Sequence, residues 1–456
     1  MKTFLKILIP ITFCYSSMCF SQYTVIPDTA FEQFLINQSI DTDGLLNGQV
    51  ATSDINSIIS LTLTNTTIHN LTGIQGFTAI ESLIINEMPY LINLDLSQNI
   101  HLKQFHCEGT YYVNNFDFSS NLALEDLALR YNSINQLNIS NNVNLTSLYC
   151  GSCGLSNLNV SNNINLTNLF CSHNELTSLN VFNNVNLRNL ICYNNYLTSL
   201  NVTNNSLLEI LWFDNNDVSF IDVSQNTTLK QLVFRNNNIV SVDLANNNLL
   251  ETLISNNNPI ESLNINNNPN LKSISCATNN ITSINLNNNP LLDKFRCDNN
   301  SNLTTLYINN GSNSLLNGQY DMGSTPPIFY NRFNATNNPN LHCVFVDDVA
   351  NCTANWLGVD ASSHFVTTQA ECDALSNEEF SFNEISIYPN PVKDILYINN
   401  QNETIEEIVV YDVLGKKVME QNNNNAQINL SDLQSGFYVV KIKTEKGYIC
   451  KKVVKE

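Results

Sequence analysis

Positive charge is scarce in this 456-residue chain: 20 Lys and Arg stand against 40 Asp and Glu, a formal net charge of −20. A surface of that sign gains nothing from neutralising phosphates, which excludes nucleic-acid binding of the electrostatic kind and docking on anionic lipid. Charge of either sign is thin, at 13% of residues, about half of ordinary usage. Glycine is sparse too, with 14, and no Gly-rich phosphate-binding loop occurs. Beyond the first 21 residues no run reaches 18 apolar side chains, so no transmembrane segment is expected. The six His, at 69, 101, 106, 173, 342 and 364, fall into no acid–base–nucleophile grouping, so neither catalysis nor a cofactor is expected.

What the chain does have is Asn, about 80 of them, several times ordinary usage. It is also 43% hydrophobic, too apolar for a disordered acidic chain. That combination suits a repetitive scaffold. Residues 1–21 carry Lys2 and Lys6, then a largely apolar run from Ile7 to Phe13, then small and polar residues. They read as a signal peptide cleaved near Ser21-Gln22. Met18 before Cys19 and Phe13 before Cys14 lack the small residue a lipid-anchor signal needs.

The repeat is regular. Leu124, Leu145, Leu166, Leu187, Leu208, Leu229, Leu250, Leu271 and Leu292 recur every 21 residues, and Ile58, Ile80 and Leu102 extend the series backwards every 22. That gives about twelve coils within residues 58–313. Each coil divides again: Leu166-x-x-Leu169-x-Cys171-x-x-Asn174 is followed by Leu176-x-x-Leu179-x-Val181-x-x-Asn184. Apolar spacings of three and two predict a short strand in each half with its Leu and Cys turned inward. The closing Asn sits where the backbone turns, and its amide can bond the main chain of its own and the next coil. One coil cannot bury enough apolar surface to stand alone, so coils must stack and the ends need caps.

This pattern resembles the leucine-rich repeat family, specifically its bacterial internalin-like branch. The resemblance implies a helical N-terminal cap over 22–57, with Asp28 as helix N-cap and Phe31, Phe34 and Leu35 buried. It implies a C-terminal cap over 314–373, and a binding surface without catalytic activity. Within that cap Cys343–Cys372 is the favoured disulfide, leaving Cys352 as an odd thiol.

Cys107, Cys150, Cys171, Cys192, Cys276 and Cys297 share one inward position, which elsewhere holds Leu129, Phe213, Phe234 and Ser255. Cysteine there serves as a small hydrophobe, and a linear ladder without paired His does not offer zinc four converging ligands. Position two reads Arg188, Glu209, Lys230, Glu251, Lys272 and Asp293, which suits cross-strand ion pairs. Position five points outward, onto the expected concave face. There Tyr149, Phe170, Ile191, Trp212, Val233 and Ile254 make an apolar and aromatic stripe, flanked by Tyr131, His173, Tyr193, Arg130 and Arg235. Such a stripe predicts a docking surface for a protein or peptide. The second half instead presents Asn159, Asn180, Asn201, Asp222, Asp243, Asn264 and Asn285, a polar row. Asp41-Thr42-Asp43-Gly44 opens like a calcium loop, but Leu45 takes the next ligand position and no Glu closes it, so no metal is expected.

A linker is expected over 374–384, after which the Leu phase ends. Short alternating runs between Ile385 and Val454 predict a small antiparallel β-sandwich. Tyr388-Pro389-Asn390-Pro391, then Tyr411-Asp412-Val413-Leu414-Gly415-Lys416, Leu433-Gln434-Ser435-Gly436-Phe437-Tyr438 and Lys451-Lys452-Val453-Val454-Lys455 resemble the type A sorting domain of the type IX secretion system. That resemblance spans 385–456 and implies secretion machinery as a partner, with export to the medium or the outer-membrane surface. Residues 22–381 then hold 9 basic and 30 acidic side chains, a net of −21, so the acidity belongs to the repeats and their caps. The fold expected is mainly β: a leucine-rich repeat solenoid with a helical N-terminal cap, followed by a small β-sandwich. The function expected is recognition of a protein or peptide through the concave face; the alternative is a structural or adhesive surface component that binds glycans or itself.

Overall fold

The computed structural model describes residues 22–64, 67–113, 115–321, 329–376, 385–399, 404–422, 426–444 and 447–456. The expected signal peptide, and residues 377–384 of the expected linker, lie outside them. No helix among the described residues is long and apolar enough to cross a membrane. The chain divides after Thr368 into two units. The helix Gln369–Ser376 runs into the segment expected as linker.

The first unit is a right-through solenoid built on one sheet of thirteen parallel strands, from Ser60–Thr64 to Phe333–Asn334. The register places like on like: Leu169 lies between Leu148 and Leu190, and Leu211, Leu232, Leu253 and Ile274 continue the column. The change of period from 22 to 21 leaves that register intact, because Phe105 still faces Leu127. These inward side chains form the core, and the six ladder cysteines are buried in it as free thiols. Burial pushes the thiols of Cys107, Cys171 and Cys276 up to about 12. Cys153, which replaces a turn Asn, is buried as well and its Sγ donates to Leu129 O at 2.9 Å.

The residue before each turn Asn adopts the left-handed conformation, from Tyr131 (φ 60°) through His173 (55°) to Asn194, Asn215, Asn236 and Asn257 (51–57°). Asn accepts that region more readily than most residues. The next residue is the buried Asn of the first ladder. Asn195 Nδ2 donates to Cys171 O (3.1 Å) and Cys192 O (3.0 Å), while its Oδ1 accepts from Leu176 N at 3.1 Å. Asn216, Asn237 and Asn258 repeat those bonds. In the second ladder Asn184 Nδ2 likewise donates to Val160 O (3.0 Å) and Asn163 O (2.8 Å). There the amide oxygen has no partner, in ten residues running from Asn99 to Asn289.

The second half of the coil departs from expectation. Among the described residues, hydrogen-bonded strands form there near the end of the solenoid alone, as a four-stranded parallel sheet of Ser283–Asn285, Thr305–Ile308, Cys343–Val346 and His364–Val366. Elsewhere the row expected as a polar outer face turns back on itself. Asn159, Asn180, Asn201, Asp222 and Asp243 each accept from the amide two residues on, at 2.9–3.0 Å. The same bond is made by Asn285, from Asn287 N at 3.0 Å, inside the strand Ser283–Asn285, so the turn bond and strand pairing coexist there.

At the N-terminal end the helix Thr29–Asn37 is capped by Asp28, whose Oδ1 accepts from Ala30 N and Phe31 N. Its Oδ2 accepts from His69 N and Asn70 N, joining the cap to the first coils. Phe31 and Leu35 are buried and Phe34 packs partly buried beside them. At the other end the solenoid continues into the segment expected as a cap. The strand Phe333–Asn334 extends the main sheet after an interruption that contains the hairpin of Gln319–Asp321 with Phe329–Asn331. A bridge from Ala335 to Val359 brings the total to about fourteen turns. Trp356 closes the core, stacked on Phe333 at 4.2 Å with its Nε1 donating to Asn317 Oδ1.

The second unit carries two antiparallel sheets, of three and four strands. Their apolar side chains, among them Val392, Leu396, Ile408, Val410, Val440, Ile442 and Val453, form a separate core.

Candidate binding surface and sorting module

A strand turns alternate side chains to opposite faces, so burying Leu169, Leu190 and Leu211 forces Phe170, Ile191 and Trp212 onto the outer face of the sheet. The stripe is less exposed than its composition suggests. Ile191 and Val233 retain 8% and 4% of their exposure, and Tyr149, Phe170, Trp212 and Ile254 are half-buried. In-register neighbours about 4.8 Å apart cover one another. The rings of Tyr149 and Phe170 stack at 4.7 Å and 22°, so their faces are turned to each other and their edges outward. The stripe is the floor of a groove.

The walls come from positions seven and eight. Tyr131 and His173 stand exposed at the left-handed turn, His173 meets Tyr193 edge-on at 5.0 Å, and Arg130 lies over Tyr149 at 4.7 Å. One cavity of about 380 Å³ is lined by Tyr131, Phe170, His173, Ile191, Tyr193 and Trp212, with Arg130, Gly151, Ser152 and Ser172. A second, of about 420 Å³, is lined by Tyr193, Trp212, Val233, Arg235 and Ile254, with Asn194, Asp214, Asn215, Gln231, Asn236 and Thr252. Tyr193 and Trp212 line both. Ten of the eleven residues singled out from sequence thus meet along one groove. Tyr149 lines neither cavity and sits beneath Arg130. Missed from sequence were Asp214, Asn215, Gln231 and Thr252; counting positions three, seven and eight as outward would have found them.

The ionic groups of the groove are paired. Arg235 Nε is 3.3 Å from Asp214 and Arg130 Nε 3.7 Å from Glu108. Burial raises the Asp214 carboxyl, partly offset by the Arg235 amide and guanidinium. Further along the sheet burial also acts on Asp126, but hydrogen bonds from His106 (3.0 Å) and Gln104 (3.2 Å) hold its carboxyl below the usual value. Position two forms cross-strand pairs: Glu209 takes Arg188 at 2.8 Å and Lys230 at 2.7 Å, and Glu251 takes Lys272 at 2.7 Å. Among the described residues no three His, Cys, Asp or Glu side chains converge as metal ligands.

In the second unit the motif residues meet although they are far apart in sequence. Asn390, within Tyr388-Pro389-Asn390-Pro391, donates to Lys452 O at 2.9 Å and accepts from Val454 N at 2.8 Å. Gly415 takes φ 80° in the turn that Asp412 closes by accepting from Leu414 N and Lys416 N. Gly436 opens the strand Gly436–Thr444, which pairs with Gly447–Lys455 so that Val440 faces Lys451 and Val439 faces Lys452. Lys452 also covers the Phe437 ring at 4.5 Å. Cys343 and Cys372 are both disulfide-bonded, whereas Cys352 is a buried free thiol and Cys450 an exposed one.

Residues 386–456 match the family described as the secretion system C-terminal sorting domain. Such tails mark proteins carried by type IX secretion to the medium or the cell surface. Among solved structures the chain is similar to the internalin inlF of Listeria monocytogenes, with 22% identity and TM-score 0.55 over 62% of this chain and 89% of that one. It also matches the functional domain of InlJ from the same organism, described as including a cysteine ladder, at 19% identity and TM-score 0.48, over 96% of this chain and 99% of that one. Among curated proteins it is 26% identical to an ulvan lyase of Nonlabens ulvanivorans over 106 residues, 23% of this chain. The chain spans only 19% of that enzyme's length. The coil geometry, the likeness to inlF and the tail agree: this is a leucine-rich repeat solenoid that ends in a type IX secretion sorting domain.

Proposed function

We propose that this is an exported recognition protein that binds an extended, largely uncharged segment of a protein or peptide partner along the concave sheet face, and that it performs no catalysis. One observation carries the reading: two cavities share Trp212 and Tyr193, making a continuous groove whose floor is apolar and whose ions are already paired. A groove of that kind gains binding energy from displaced water and buried aromatic anchors. The lyase match spans too little of that enzyme to bring its activity here.

The alternative, a surface or adhesion component that binds glycans or other copies of itself, draws on the polar rail beside the stripe, where Asn189 donates to Asn168 and Asn168 to Ser147. Against sugar binding at this pair, Tyr149 and Phe170 spend one face of each ring on the other, and Arg130 lies over the Tyr149 ring. The test is crosslinking on intact cells with the natural chain and with Trp212→Ala and Phe170→Ala. Lost capture in folded variants is expected. Undiminished capture overturns the groove reading, and binding on a glycan array that survives both changes favours the alternative.

A further inference from the structure

One edge of the solenoid carries apolar side chains that its fold does not require. Each coil re-enters the main sheet through a turn that follows a buried Asn of the second ladder. Leu145 N closes that turn on Asn142 O at 3.2 Å, Leu166 N on Asn163 O and Leu187 N on Asn184 O at 3.1 Å. With the Asn turned inward, the next residue points out. In five consecutive coils that residue is Ile100, Leu122, Val143, Ile164 and Val185, each 45–54% exposed. The turn has no need of them, since Ser206, Thr227, Asn248 and Pro269 fill the same place in the next four coils. Past Val185 the exposed apolar residues of this edge are isolated, at Leu207, Leu249 and Leu291 in alternate coils. Scattered exposure of that kind is ordinary. Four steps of about 4.8 Å instead make an unbroken ridge roughly 19 Å long, and contiguity of that sort marks a contact surface.

Three further observations bear on what covers the ridge. Its backbone is ready for burial: Asn144, Asn165 and Asn186 donate to the carbonyls of Leu122, Val143 and Ile164 at 3.0–3.1 Å. Covering it therefore strands none of those three acceptors. It is also the neutral window of an acidic molecule. Residues 131–187 hold a single formal charge, Glu175, in a chain of net −20. Glu175 follows the opposite turn, its amide bonded to Leu155 O. Position two, which borders the ridge, carries Lys103, Glu125 and Arg188 near its ends but Thr146 and Thr167 in the middle. Two copies of so acidic a chain repel least where neither brings charge. The third observation is pitch: a column that repeats about every 4.8 Å is matched along its whole length by another of the same spacing. We propose that the ridge docks a second copy of the chain, ridge against ridge across a two-fold axis near Val143. A standard interface buries about 800 Å² per partner; here the ridge is its apolar centre and the Asn rows beside it the polar rim. The groove stays open in this dimer, because Ile191 lies four extended residues past Leu187, roughly 13 Å from the turn. Two grooves on one particle gain avidity for a repetitive partner.

The test is sedimentation velocity of the full chain over about 1–100 µM, a range that resolves micromolar self-association. The natural chain is compared with Val143→Asp and Asn248→Asp. Both changes put a carboxylate at the same exposed turn position, where Asp is well tolerated, but only Val143 lies on the ridge. A dimer that forms as concentration rises is expected, weakened at least tenfold by Val143→Asp and less than twofold by Asn248→Asp. Ile164→Asp, in the neighbouring coil, should act in the same direction and serves if Val143→Asp fails to fold. A natural chain that stays monomeric across the range overturns the proposal. So does a dimer that the ridge changes leave intact, including one that Trp212→Ala breaks instead, since the second copy would then sit in the groove.

Discussion

The two buried Asn ladders have the same residue and the same 21-residue spacing, and each amide donates to a carbonyl 24 residues back. The second donated bond stays within the coil in the first ladder and reaches the preceding coil in the second, and the amide oxygens differ in whether they are satisfied. In the first, the amide oxygen receives a backbone N–H from the preceding coil; in the second it receives nothing. Equal periodicity therefore conceals unequal worth. A fully satisfied buried amide adds stability, whereas a half-satisfied one returns part of its gain as the cost of a desolvated oxygen.

The comparison can be broken by truncation. Asn216→Ala removes three donated bonds and orphans the Leu197 amide, and should cost about 3–5 kcal/mol, read from urea unfolding. Asn184→Ala removes two donated bonds but also an oxygen that had no partner, so about 2–3 kcal/mol is expected. If the two costs are equal, the unpaired oxygen is satisfied in solution and the distinction falls. Asn180→Ala, which opens one surface turn, should cost about 0.5–1 kcal/mol, seen as a small drop in the urea midpoint. Lys230→Ala, at an exposed pair with Glu209, should cost under about 1 kcal/mol, a loss that vanishes as salt is added.

Much of this was legible in sequence, because a solenoid's contacts repeat its period. The columns of Leu and Cys, the Asn turns and the outward place of Trp212 all follow from counting. Three things were not. The thirteenth strand was hidden because residues 311–331 break the phase before Phe333. Whether the second half of a coil pairs as a strand, as at Ser283–Asn285 but not at Asn159, is not decided by alternation, and the turn bond is common to both. The capture of the Asn47, Gly48 and Gln49 amides by Glu32 depends on how a helix packs against a loop, and no spacing rule reports that. The groove was half legible: its floor came from one coil position, its walls from two others that carry no hydrophobic signal.

The in-register ladders make the coils interchangeable parts. Each bond between coils, backbone or Asn, reaches an equivalent atom about one period away, so excising one whole coil, such as 198–218, would bring together the same kinds of atoms that it separates. The groove can therefore lengthen or shorten in steps of about 4.8 Å while each remaining junction keeps its bonding. Groove length is in that sense a digital property of the gene, set by how many copies of a 21-residue unit it holds.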